Sequence, residues 1–212
     1  MNRKMIEISS ILEVKNHIEG LKAVVFDLDD TLYSEKEYVR SGYQKIAEIL
    51  PEVENAAEKL WTLFEAKKSA IDELLKMENI QSEEVKQACL RAYRYQIPDI
   101  HLYEGVAEMM KAFKNKGLKL GIITDGRPEG QRAKLQVLGL EKIVDHIIVT
   151  DEFGGPGYRK PNSIAFQRMK ELLCVEYNQM CYIGDNIKKD FVAPERLGMR
   201  SIWFKNDDGL YR

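Results

Sequence analysis

The stretch that most constrains this chain is Leu21–Phe26, an apolar run that stops abruptly at Asp27-Leu28-Asp29-Asp30-Thr31-Leu32. A short run apolar at every position but Lys22 reads as a strand buried on both faces, which belongs to a parallel sheet covered by helices. Three carboxylates at its end do not belong in a core. Carboxylates this close repel when ionised, so one tends to keep a proton unless a cation lies between them. An acidic turn after a core strand would explain the residues blandly. A carboxylate nucleophile, a general acid and a metal ligand in one loop would explain them chemically.

The rest of the chain repeats the pattern. After a capping-box start at Ser10–Glu13, the spacing predicts a short lead-in helix from Ile11 to about Glu19, ended by Gly20. Further strands are predicted at Lys119–Thr124, His146–Thr150, Met180–Ile183 and Arg200–Phe204. Helices are predicted between them at Glu104–Lys116, from Pro128 to Gly139, at Ser163–Leu173 and at Asp190–Leu197. Strand–helix alternation of this kind gives an α/β fold: one parallel five-stranded sheet with helices on both faces. From about residue 34 to 98 the alternation is lost and only helical periodicity remains. Helices are expected at Tyr38–Leu50, Val53–Met77 and Ser82–Gln96. This block reads as an inserted helical domain over 34–98, with 1–33 and 99–212 forming the core domain.

Composition narrows the function classes. The 212 residues carry a net charge of -2, and no Lys/Arg run stands out, so neither nucleic acid nor an anionic membrane is an expected partner. No apolar run approaches the roughly 20 residues that span a bilayer. The N-terminus shows no apolar signal core. Cys89, Cys174 and Cys181 show no metal or redox spacing, and a reduced cytoplasmic location is expected. His17, His101 and His146 are scattered, which argues against a His-based metal site or a Ser-His triad.

The polar residues gather at predicted strand ends: Asp27–Thr31, then Thr124-Asp125-Gly126, then Gly184-Asp185-Asn186 with Asp190 following. The glycine-rich segment Gly154–Pro161, containing Lys160, lies between the third and fourth strands. Open α/β sheets bind ligands at these carboxyl ends. The chemistry this suggests is phosphoryl transfer, with Asp27 as nucleophile giving an aspartyl-phosphate. Oxygen ligands from Asp27 and Asp185 suit Mg²⁺ rather than zinc. Lys160 adds a second positive charge, Thr124 a hydroxyl, and the Asp125 and Gly126 amides a small phosphate nest. Asp29 is placed to protonate the leaving oxygen and then deprotonate water.

On these four motifs, in this order, the chain resembles the haloacid dehalogenase superfamily in its phosphatase branch. The resemblance implies a Rossmann-like sheet of strand order 3-2-1-4-5 with a helical cap inserted after the first motif. It implies catalytic roles for Asp27, Asp29 and Lys160, phosphate binding by Thr124, Asp125, Gly126 and Lys160, and Mg²⁺ held by Asp27, the Asp29 carbonyl and Asp185. Asp190 is implied as a supporting residue, touching a metal-bound water or pairing with Lys160. The chain departs from the common pattern at Asp30, where many relatives have Gly, and at Asn162, where Asp is common. The expected activity is a Mg²⁺-dependent phosphatase for a small phosphorylated metabolite, a sugar phosphate or nucleoside monophosphate. A phosphomutase and a catalytically idle binding or signalling module are the alternatives, and the oligomeric state is left open.

Overall fold

The computed structural model describes residues 5–210. It divides into two compact units: one holds the chain up to Glu35 and from His101 onward, the other Lys36–Ile100.

The first unit is built on a six-stranded sheet, not the five-stranded one expected. Its strands are β1 (Ile6–Ile8), β2 (Ala23–Phe26), β3 (Lys119–Thr124), β4 (His146–Val149), β5 (Met180–Gly184) and β6 (Arg200–Phe204). They lie in the order β1-β6-β5-β2-β3-β4, and every neighbouring pair is parallel. The five expected strands keep the expected order, and the sixth is added at the edge beside β6. It is only three residues long, alternates Ile-Glu-Ile, and pairs on one side, so it carries too short a period to announce itself. The lead-in helix is a 3-10 helix, Ile11–Asn16, with the Ser10–Glu13 capping box in place.

Strand β2 is central because its sequence can only be central: all four residues are fully buried. Alternation sends Ala23 and Val25 to one face, where they pack with α7 (Ile164–Leu173) through Ala165, Phe166 and Met169. Tyr182 of β5 joins that cluster, its ring edge-on to Phe166 with centroids 4.9 Å apart. Helix α5 (Val106–Asn115) packs on β3, with Val106, Met109, Met110 and Phe113 buried. Burying each of these contributes roughly 1.5–3 kcal/mol. Gly121 of β3 is required by packing. A Cβ there would lie 2.6 Å from the Met169 sulfur.

The second unit is helical: α1 (Glu35–Ile49, whose first residue belongs to the first unit), α2 (Ala56–Glu65), α3 (Ala70–Met77) and α4 (Glu83–Arg94). The single long helix expected over Val53–Met77 is two helices. The polar segment Ala66-Lys67-Lys68-Ser69 supplies no buried apolar residue, and Lys67 turns out of the helix at φ +56°. Its core gathers Tyr43, Ile46, Leu60, Leu63, Leu74 and Cys89. Among the described residues no helix is long and apolar enough to cross a membrane.

Candidate active site

Sheet register brings the acidic residues together. Phe26 pairs with Ile183, and the Asp27 amide continues the ladder by donating to the Ile183 carbonyl at 2.8 Å. Asp27 therefore leaves β2 beside Gly184, and Asp185 follows directly. Asp190 arrives from the turn before α8 (Val192–Leu197). Its Oδ2 accepts from the Asn186 amide at 2.9 Å. Gly184 is what lets Asp190 approach, since a Cβ there would lie 2.4 Å from that oxygen. Carboxylate oxygens of Asp27, Asp185 and Asp190 all lie within 4.8 Å of one another, and all three residues are buried.

Lys160 closes this cluster. Its side chain is fully buried, with Nζ 2.6 Å from Asp27 Oδ1, 2.9 Å from Asp190 Oδ1 and 2.9 Å from the Tyr182 hydroxyl. Burial opposes its charge, but Asp190 and Asp27 outweigh that and hold its pKa well above the ordinary lysine value. One ammonium cannot neutralise three carboxylates. Burial, against the pull of Lys160 and with the push of Asp190, raises Asp27 to about 7. Burial and the neighbouring Asp27 and Asp190 raise Asp185 to about 9. With all three carboxylates ionised, such a set holds two positive charges too few, and its donors are oxygens only, which fits a hard divalent cation.

Asp29 faces a different set of partners, and its carboxylate is not part of that cluster. Lys134 Nζ lies 2.7 Å from its Oδ1, Gln131 donates to its Oδ2 at 2.8 Å, and the Tyr33 hydroxyl also donates to it. Burial pushes its pKa up, but the Lys134 ammonium and these hydrogen bonds prevail and hold it below the usual carboxylate value. Thr124 is fully buried at the end of β3, its hydroxyl bonded by the Gln131 amide. It does not line the cavity described below, whereas Asp125 and Gly126 do. The Asp125 carboxylate accepts from the Lys160 amide at 3.1 Å and the Thr150 hydroxyl at 3.0 Å, and pairs with Lys189 at 3.0 Å. Burial opposes its ionisation, but Lys160 and Lys189 hold its pKa down.

Asp30 adopts φ +52°, in the left-handed region that glycine enters freely. Its carboxylate offsets the strain by accepting from the amides of Glu35 at 2.9 Å and Leu210 at 2.7 Å. That is the local reason an Asp can stand at this position.

These groups surround a cavity of about 420 Å³ lined by Asp27, Asp29, Asp125, Lys160 and Asp185. It is also lined by residues that the sequence reading did not single out as site residues: Glu35, Gln131, Lys134 and Lys189, together with Asn186. Gln131 and Lys134 did leave a signal. On α6 (Pro128–Val137) they share one stripe with Leu135 and, just beyond, Leu138. Two polar residues at core positions of a helix are out of place unless they serve a site. Lys189 left none, being one of two adjacent lysines in a loop.

The family model of haloacid dehalogenase-like hydrolases matches residues 24–204. Among curated proteins, the chain is 26% identical over 194 residues to glyceraldehyde 3-phosphate phosphatase of Methanocaldococcus jannaschii, covering 86% of this chain and 84% of that one. It is 23% identical to pyrophosphatase PpaX of Bacillus mycoides, covering 86% and 82%. Among solved structures, the HAD-hydrolase YfnB of Bacillus subtilis, bound to magnesium, superposes with a TM-score of 0.64 at 19% identity, covering 89% of each chain. With a parallel sheet in the expected central order and the matched segment spanning β2 to β6, the chain belongs to the haloacid dehalogenase-like hydrolase family.

Proposed function

We propose that the protein is a Mg²⁺-dependent phosphomonoesterase acting on a small phosphorylated metabolite through an aspartyl-phosphate on Asp27. The observation that carries the reading is the buried group Asp27–Lys160–Asp190–Asp185 at the ends of β2 and β5, of which Asp27, Lys160 and Asp185 line a cavity. The phosphatase names of the curated relatives support it. Asp27 and Asp185, with the Asp29 carbonyl, are the groups that would hold the cation. Bound there, it would offset the repulsion between a carboxylate and a phosphate dianion and polarise the phosphoryl oxygens.

The chain's own residues do the rest. Asp27 attacks phosphorus, and the bond to the leaving oxygen breaks. Lys160, already 2.6 Å from Asp27, places its positive charge where the transferring group must sit. The Asp125 and Gly126 amides at the cavity wall receive phosphoryl oxygens. Asp190 anchors Lys160 from the far side, a positioning role. Asp29, kept ionised by Lys134, is set to take a proton from the water that attacks the acyl phosphate. To act earlier as an acid it must first gain a proton, which that ion pair opposes. The helical unit serves as the cap of this reading. The free cysteines suit a cytoplasmic setting.

The test is hydrolysis of p-nitrophenyl phosphate by the purified protein. Turnover should require Mg²⁺, disappear in excess chelator, and be abolished in Asp27→Asn. Full turnover in chelator, or in Asp27→Asn, would refute the reading.

A further inference from the structure

We propose that Glu35 selects the leaving group. The cavity would then take a small, neutral, hydroxyl-bearing phosphomonoester rather than one carrying a second anionic group. This deepens the phosphatase reading and rests on it.

Glu35 opens α1 and is fixed in place by its amide, which donates to Asp30 Oδ1 at 2.9 Å. Its side chain lines the cavity that holds Asp27, Asp29 and Lys160. Its Oε2 is buried and has no hydrogen-bond partner. Burial, with the push of Asp29, raises the Glu35 pKa to about 8. A buried carboxyl oxygen without a hydrogen-bond partner is costly, and native chains satisfy nearly all such groups. Placed on a cavity wall, that oxygen is one for which a ligand hydroxyl, able to donate or accept, can supply the missing partner. A hydroxyl on the carbon chain beyond the phosphoester does so without adding charge.

The cations around it argue against a second anion. Lys160 is paired with Asp27 and Asp190, Lys134 with Asp29, Lys189 with Asp125, and Arg159 with Asp151 in a two-pronged contact at 2.7 Å. Each lysine or arginine lining the cavity is thus already committed to a carboxylate. The phosphate has Lys160 and the amides of Asp125 and Gly126. A carboxylate or second phosphate elsewhere on the substrate would meet the ionised Asp29 and the buried, mostly uncharged Glu35 instead of a further cation.

The experiment compares kcat/KM for sn-glycerol 3-phosphate and n-propyl phosphate, two alkyl esters that differ in their hydroxyls. Wild type, Glu35→Gln and Glu35→Leu are each measured with Mg²⁺. Sites that bond a substrate hydroxyl reject the analogue lacking it far more strongly than sites that merely fill space, so wild type should prefer glycerol phosphate by at least about 10²-fold. Glu35→Leu should bring that ratio to within about threefold, while Glu35→Gln, which keeps an acceptor oxygen, should retain most of it. Taking the ratio within each variant cancels general damage to the enzyme. D-Glycerate 3-phosphate, which replaces an end hydroxyl with a carboxylate, should be turned over by wild type at least about tenfold more slowly than glycerol phosphate. An unchanged ratio in Glu35→Leu, or a wild type with no preference for the hydroxylated ester, overturns the role of Glu35. Faster turnover of the glycerate ester overturns the exclusion of a second anion. Turnover of p-nitrophenyl phosphate is measured alongside. If wild type hydrolyses neither it nor the alkyl esters, the phosphatase reading itself has failed. If it hydrolyses the aryl ester and the Glu35 ratio does not move, only this inference has.

Discussion

Replacing Lys160 with Met leaves the shape of the site nearly intact and removes the one charge that holds it together. Lys160 stands 2.6 Å from Asp27 and 2.9 Å from Asp190, fully buried. Removing one partner of a buried ion pair typically costs about 3–5 kcal/mol, because the other charge stays behind uncompensated. Here the cost has a ceiling, since a stranded carboxylate can take up a proton. At 1.36 kcal/mol per pH unit and an unfolded pKa of about 3.9, that uptake costs about 4 kcal/mol at pH 7 and about 1.5 kcal/mol at pH 5. The sign follows from the raised folded pKa. The folded variant binds one more proton than its folded parent, so its stability relative to the parent falls as pH rises from about 4 towards that folded pKa. The assay is urea denaturation in chelator, followed by Trp203 fluorescence in a Trp61→Phe background so that the first unit is read. The stability gap between Lys160→Met and its parent should widen by about 1.4 kcal/mol per pH unit between about pH 5 and 7. Millimolar Mg²⁺ should narrow it at pH 7 by binding the stranded carboxylates. A gap that is the same at both pH values and indifferent to Mg²⁺ would mean that Lys160 is a packing residue and that the acidic cluster is not electrostatically coupled.

Two further outcomes are expected. Gly184→Ala should displace Asp190, whose Oδ2 lies 2.4 Å from the new Cβ; overpacking of this kind costs about 1–3 kcal/mol in thermal stability, and p-nitrophenyl phosphate turnover should fall at least about tenfold because Lys160 loses its far anchor. Lys134→Met should raise the pKa of Asp29 by removing the strongest attraction on it, so any acidic limb of the pH–rate profile governed by that carboxylate should move to higher pH. A profile identical to wild type would detach Asp29 from the rate.

The sequence by itself determined the strand–helix alternation and which carboxylates end which strands. These are local properties: a run such as Ala23–Phe26 is apolar at every position because it is buried on both faces, and the interruption at Asp27 is visible without any neighbour. Strand β1 escaped because three residues on an edge have too short a period. The break between α2 and α3 escaped because Lys67 enters the left-handed region with no glycine to announce it. Tertiary structure alone decided the partners. Lys160 and Asp27 are 133 residues apart in sequence, and Lys134 and Asp29 are 105 apart. No spacing rule links such pairs; the parallel register of β2 with β5 and the docking of α6 bring them within bonding distance. The same holds for charge. Asp27 and Asp29 are two residues apart in one loop, yet the pKa of the first is raised and that of the second lowered. The difference lies in burial and in which distant side chain each one meets, and those are set only when the chain has folded.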